Sequence, residues 1–276
     1  MPTVLSIQSW VACGTVGNAA ALFALQRLGC EAWSLNTVTF SNHTGHGKWR
    51  GDAVPAHLIA SLFEGVAELG VLARCDAVLS GYLGAVDVGP VLLDIVARVK
   101  NANPRALFCC DPVMGDFGPG WYVGAGLPEF YRDRALPAAD IATPNRFELE
   151  WLVGRSIATY ADAAAAARLL PPRIVLVTSL EPAADQIAAL AAGPDGAWVA
   201  ETPRLPIAAT GCGDAAAALF LAWLLNGKPM VDALAATIAA LWGVIERTMR
   251  AGGELALVGA QDELVAPSRV VRPRRI

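Results

Sequence analysis

Short apolar segments that alternate with longer amphipathic stretches constrain this chain more than any other feature. Segments 3–8, 31–36, 76–80, 106–110, 140–142 and 174–178 are bounded by polar residues or glycine and are often β-branched, a pattern that predicts strands. Between them, helical patterns run over 17–28, 55–69, 87–101, 124–135, 145–153 and 160–170. That alternation predicts an α/β fold, a central and mostly parallel sheet with helices on both faces. After Ser179 the pattern changes. Segments 187–190 and 198–201 predict a hairpin around Pro194-Asp195-Gly196, and two long helices follow over 213–226 and 229–250. No repeat, low-complexity linker or charge block divides residues 1–276, so a single domain is expected, with the tail from about 267 to 276 peripheral.

Composition removes several classes of function. Hydrophobic residues make up 55% and charged residues 17%, which excludes a disordered chain. The mean hydropathy of +0.45 raises the question of a membrane. The best uncharged apolar runs, 215–227 and 233–245, hold 13 residues each, whereas a spanning helix needs about 18. Bounded by Asp214, Lys228, Asp232 and Glu246, they read as buried core helices, and no membrane partner is expected. The first 26 residues carry no charged side chain, but Ser6, Gln8, Ser9, Gly14, Thr15, Gly17 and Asn18 interrupt them, unlike an export signal. A cytoplasmic protein is expected. The net charge is −4 with no basic segment before the C-terminus, which argues against nucleic acid. The four arginines after residue 268 read as a solvated tail. Six cysteines include no C-x-x-C pair, so zinc and thioredoxin-like readings fail and buried reduced thiols are expected for most of them.

In open α/β sheets, ligands sit beyond the carboxyl ends of the strands. Gly, Pro, Asn and His are concentrated in two long loops there, 40–52 and 111–126. The strongest local signal is Thr210-Gly211-Cys212-Gly213-Asp214, ahead of a helix. Glycines at a helix start leave backbone N–H groups and the positive end of the dipole free for an anion. Asp214 is there either an N-cap or a general base beside that anion site. Asn145 and Glu148, three apart, form either a capping box or a polar pair facing a ligand. His43 and His46 form H-x-x-H without a third ligand of the right kind, so no metal site is expected there.

Seven segments, in order, carry a resemblance. Thr210–Asp214 resembles the G-x-G-D motif of the ribokinase superfamily. S-I-Q-S-W-V-A-C-G-T-V-G-N (6–18), L-N-T-V-T-F-S-N-H-T-G-H-G-K-W (35–49), S-G-Y (80–82), C-D-P-V-M-G-D (110–116), T-P-N-R-F-E-L-E (143–150) and V-T-S (177–179) resemble segments of the pyridoxal kinase family. The resemblance spans residues 6 to about 226.

It implies a ribokinase-like fold and ATP-dependent phosphorylation of the 5′-hydroxymethyl group of pyridoxal. Asp214 would be the base, with Gly211, Cys212 and Gly213 cradling the transferring phosphoryl group. Ser9, after the first strand, with His43, Thr44 and Tyr82 would line the vitamin pocket. Asp111, Thr143, Asn145, Glu148, Thr178 and Ser179 would lie at the nucleotide. Asp111 and Glu148 would position Mg²⁺, partly through water, and Asp116 would contribute to a K⁺ site. A homodimer is implied as well. The Thr178-Ser179 pair is more similar to eukaryotic-type members than to the bacterial subgroup with lysine there. Three positions depart from the family: Trp10 stands where histidine is common, the 203–210 segment is short, and Cys212 replaces threonine or valine. The alternatives are a hydroxymethylpyrimidine kinase, which shares the D-P-V-M and glycine-loop patterns, and a vitamer-binding protein without catalysis.

Overall fold

Ten of the twelve strands form one sheet in the structure, a computed structural model that describes residues 1–207 and 209–276. Ala208, within the short 203–210 segment, lies outside the described residues. In chain order the elements are β1 (Thr3–Val11), α1 (Asn18–Arg27), β2 (Glu31–Phe40), β3 (Gly51–Ala53), α2 (Ala56–Glu68), β4 (Ala77–Ser80), α3 (Val88–Ala102) and β5 (Leu107–Cys110). A small hairpin follows, β6 (Gly115–Asp116) with β7 (Gly120–Trp121). Helix α4 (Leu127–Phe130) runs through a π turn, Tyr131–Ala135, into α5 (Leu136–Ala138). Then come β8 (Ile141–Ala142), α6 (Arg146–Val153), α7 (Tyr160–Ala167), β9 (Ile174–Ala183), β10 (Gln186–Gly193), β11 (Gly196–Pro203), α8 (Cys212–Leu225), α9 (Met230–Ala251), α10 (Gln261–Val265) and β12 (Arg274–Arg275).

The sheet order is β12-β11-β10-β9-β8-β5-β4-β1-β2-β3. The six strands from β9 to β2 are parallel neighbours; β10, β11 and β12 on one side and β3 on the other add antiparallel edges. Alternate residues face opposite layers, as the pleat requires. Leu5, Val78, Phe108 and Val177 pack on the layer that holds α2, α3, α6 and α7. Val4, Leu79, Cys109 and Leu176 pack on α1, α8 and α9. Helix α8 is buried from Ala215 to Ala222 with no polar stripe, because it is covered on all sides. No helix among the described residues is long and apolar enough to cross a membrane.

Four sequence expectations change. Strand β1 extends to Val11, so Ser9 lies inside it rather than in a following turn. The pairing with β2 slips between Gln8 and Trp10, which makes Ser9 the irregular residue of that edge. Strand β9 likewise continues past Thr178 and Ser179. The 40–52 loop contains a short 3₁₀ turn, Thr44–His46, and returns as β3 along β2, which leaves 41–50 as its tip. The arginine tail is not simply solvated. Arg274 and Arg275 pair with Val199 and Trp198, Arg274 bridges to Glu201 at 3.1 Å, and Ile276 packs against the core. Charges that repel along an isolated strand are tolerated on an edge, where each finds a partner on β11 or water.

Candidate active site

The predicted segments converge at the carboxyl ends of the parallel strands. Helix α8 begins at Gly211, whose φ of +88° is open to glycine. A Cβ there would overlap the Thr15 carbonyl, so the glycine loop rests directly on the loop after β1. The helix is capped at Gly211, and Asp214 lies two residues inside its first turn without capping it. This removes the N-cap reading of Asp214. The backbone N–H groups of Gly17 and of Asp214 itself instead face its carboxylate and favour the ionised form. Its surroundings strip away enough water to push its pKa from 3.8 up to about 6. Cys212 is not a reactive thiolate, since desolvation and the Asp214 charge raise its pKa to about 12.

Gly17 also sets the position of Ser9. Its φ is +56°, and a Cβ there would overlap the Ser9 hydroxyl and carbonyl. One glycine therefore brings the irregular residue of β1 close to the acid of α8. Next to it, the fully buried Asn18 donates to Asn36 Oδ1 at 2.8 Å and so ties α1 to β2. The Tyr82 backbone is held by Thr37, whose hydroxyl donates to its carbonyl at 2.6 Å. A Cβ on Gly81, just before it, would overlap the buried Gln8 amide, and the Gly81 carbonyl accepts a hydrogen bond from the Tyr131 hydroxyl.

Asp111 and Glu148 form the second group of acids, both almost fully buried. Asp111 follows β5, its N–H bonded to the Ser80 carbonyl. Desolvation, then repulsion by Glu148 and Asp214, holds its pKa far above the usual range, while the Thr143 hydroxyl acts in the opposite direction. Asn145 caps α6, and its side chain accepts from the Glu148 N–H at 2.9 Å. Glu148 Oε2 returns the bond to the Asn145 N–H at 2.8 Å, and Oε1 accepts from the Met114 N–H at 2.8 Å. The capping box of the sequence reading is therefore present. It does not exhaust the carboxylate, because each oxygen retains further acceptor capacity. Burial raises the Glu148 pKa despite these bonds. The Asn145 amide is engaged by the Gly115 carbonyl at 2.8 Å and so anchors the small β6–β7 hairpin. Asp116 on that hairpin is half-buried and accepts from the Phe117 N–H.

The remaining predicted residues stand further out. Thr178 and Ser179 lie on β9, where the pairing with β10 is irregular and Ser179 has a φ of +56°, unique for a non-glycine among the described residues. His43 and Thr44 are on the exposed tip of the 41–50 loop. The His43 ring accepts from the Gly45 N–H, while the Thr44 side chain faces solvent. No group of three or more metal-ligating His, Cys, Asp or Glu side chains occurs among the described residues. Sequence reading missed Gly17, Asn18, Gln8 and Thr15. All four lie within the quoted 6–18 segment, but their roles depend on contacts with elements distant in the chain.

Comparison with known proteins fits this geometry. The fold is ribokinase-like, shared with pyridoxal kinase from Leishmania donovani in complex with ADP and pyridoxamine (TM-score 0.94, 30% identity, all of both chains) and with the Trypanosoma brucei enzyme (TM-score 0.88, 31% identity, 99% of both). A family model described as phosphomethylpyrimidine kinase matches residues 12–258. Pyridoxal kinase PdxY of Rubrobacter xylanophilus is 52% identical over 99% of this chain and 97% of its own length. That of Granulibacter bethesdensis is 49% identical over 96% of each. The chain belongs to the pyridoxal kinase family.

Proposed function

We propose that this protein transfers the γ-phosphate of ATP to the 5′-hydroxymethyl group of pyridoxal, with pyridoxine and pyridoxamine as further acceptors. The observation that carries this reading is the Asp214 carboxylate. It stands in the first turn of α8, tuned toward neutrality and facing the Gly17 N–H next to Ser9. In this reading Asp214 takes the hydroxyl proton as that oxygen bonds to the γ-phosphorus and the bond to the ADP oxygen breaks. The N–H groups of Gly211, Cys212 and Gly213 receive the charge of the transferring group. Ser9, His43, Thr44 and Tyr82 orient the acceptor. Thr143, Asn145, Thr178 and Ser179 border the nucleotide.

Asp111 and Glu148 would hold Mg²⁺, which when bound offsets the charge on the β- and γ-phosphate oxygens. The donor set fits, being two hard, buried carboxylates, with the Glu148 charge raising the pKa of Asp111 and no cationic side chain among the forces acting on either. Asp116, near Glu148, would contribute to a K⁺ site. The reading includes a single domain spanning 1–276, supported by one sheet that runs from β3 to β12. It includes a homodimer, for which exposed Leu58, Leu62 and Leu69 offer apolar surface. It also includes residence in the cytoplasm, supported by six free cysteines.

Hydroxymethylpyrimidine kinase is the second reading, favoured by the description of the matching family model. The test is a panel of pyridoxal, pyridoxine, pyridoxamine and hydroxymethylpyrimidine with ATP and Mg²⁺, scored by phosphate-ester formation. Pyridoxal phosphate is expected. Phosphorylation of the pyrimidine alone overturns the assignment, and binding without turnover points to a vitamer carrier.

A further inference from the structure

Glu254 has no part in the chemistry above, yet it stands where several segments of the pocket meet. It lies between α9 and α10, remote in sequence from every recognised motif. Its Oε1 is 2.8 Å from His46 Nε2 on the 41–50 tip. Its Oε2 is buried without a hydrogen-bond partner and lies against Gly14, where a Cβ would sit 3.2 Å away. The same carboxylate acts electrostatically on His43. One residue on, the Leu255 carbonyl accepts from the Thr15 hydroxyl at 2.9 Å. Thr15 in turn supports Gly211. Residues 254 and 255 thus touch both the loop after β1 and the tip that carries His43 and Thr44.

The tip has little else to hold it. Residues 44–50 are exposed, and the hydrogen bonds of residues 42–50 are local to the 41–50 turn (Asn42 to Lys48, His46 to His43, Gly47 to Thr44, Arg50 to Ser41). Among the described residues, the His46–Glu254 contact is the one hydrogen bond that joins 42–50 to the body of the chain.

We propose that Glu254 is a positioning residue: its carboxylate clasps His46 and holds the 41–50 tip over the acceptor side of the pocket, so that it sets affinity for the acceptor alcohol and not for the nucleotide. The proposal rests on the kinase reading for its kinetic consequence. A clasp of this kind works by ordering a loop before the substrate arrives. Both partners keep contact with water, 56% exposed for the His46 side chain and 31% for that of Glu254, so its effect is modest.

The test uses the full-length protein with Glu254→Ala, Glu254→Gln, His46→Ala and the Glu254→Ala/His46→Ala pair. Each alanine variant is expected to raise KM for pyridoxal about fivefold, while kcat and KM for ATP stay within about twofold. The double variant should be no worse than the more severe single one, because one contact is removed in each. Glu254→Gln, which can still accept from His46, should recover most of the loss. Hydrogen–deuterium exchange of amides 42–50 in the unliganded protein should quicken about fivefold in both alanine variants. Additive losses in the double variant, or unchanged KM with unchanged exchange, overturn the clasp. If the wild-type protein phosphorylates no alcohol in the panel, the kinase reading fails, and the exchange measurement still decides the clasp. If Glu254→Ala melts early, His46→Ala, a change at an exposed side chain, carries both measurements.

Discussion

The backbone N–H of Gly17 faces the Asp214 carboxylate and favours its ionised form, bringing the start of the first helix to the start of the eighth across most of the chain's length. Gly17 has no room for a side chain, because Ser9 fills that space. The proposed proton acceptor, Asp214, and the proposed wall of the acceptor pocket, Ser9, thus both lie against Gly17. Asp214 pays for this placement in stability, since its ionised form is desolvated.

That cost can be measured. A carboxyl group whose pKa is about 6 when folded and near 3.8 when unfolded destabilises the protein as pH rises through that interval. Asp214→Asn should therefore lower kcat by about 10²-fold or more. The same change should raise stability at pH 7 by up to about 3 kcal/mol, with the gain vanishing near pH 4. Denaturant melts at the two pH values, beside steady-state rates, check both halves. Near-normal turnover would remove Asp214 from its role.

The rate should respond to pH through the same group. A base with a pKa of about 6 is mostly protonated at pH 5 and mostly free at pH 7. The kcat/KM for pyridoxal is expected to rise across this interval with unit slope on its acidic limb. A flat profile from pH 5 to 7 would contradict the assignment.

Two glycines of the loop should behave differently. At Gly211 a Cβ meets the Thr15 carbonyl and φ is +88°, so Gly211→Ala should lower stability by roughly 1–3 kcal/mol. At Gly213 nothing lies within 4 Å of the added atom. Gly213→Ala should keep the wild-type Tm and reveal whether the loop senses bulk near the phosphoryl group. Thermal melts of the pair distinguish a structural from a chemical need for glycine.

Glu148→Gln separates the two functions of the α6 cap. The amide keeps an oxygen for one backbone N–H, so the loss of stability should stay at about 1 kcal/mol. Losing the negative charge should raise the Mg²⁺ concentration for half-maximal rate about tenfold, the scale reported for metal-site neighbours. A titration of rate against Mg²⁺ at saturating ATP measures it. An unchanged midpoint would leave Glu148 as a cap alone.

Removal of residues 273–276 should expose the edge of β11 and its Trp198 face. We expect a lower Tm and concentration-dependent association, read by light scattering, because an uncovered edge strand pairs with other chains.

The alternation of apolar segments determined the parallel core and both helical layers, because burial on two faces demands near-continuous apolar strands whose length and punctuation are local properties. The acids after β5, at α6 and at α8 were legible for the same reason. Charge is scarce in this chain, and strand ends are where ligands collect. What only the tertiary structure decided is what depends on contacts between distant segments. Ser9 became part of β1 because Trp10 and Val11 beyond it pair with β2. Asn145 and Glu148 proved to be a cap with acceptor capacity to spare, two readings that sequence held apart and the fold combines. The arginine tail became an edge strand because Glu201 and Trp198 lie across from it. Gly17 and Glu254 carried no signal of their own, since each matters through neighbours about 200 residues away in the chain, and periodicity records only which face is buried, not what lies against it.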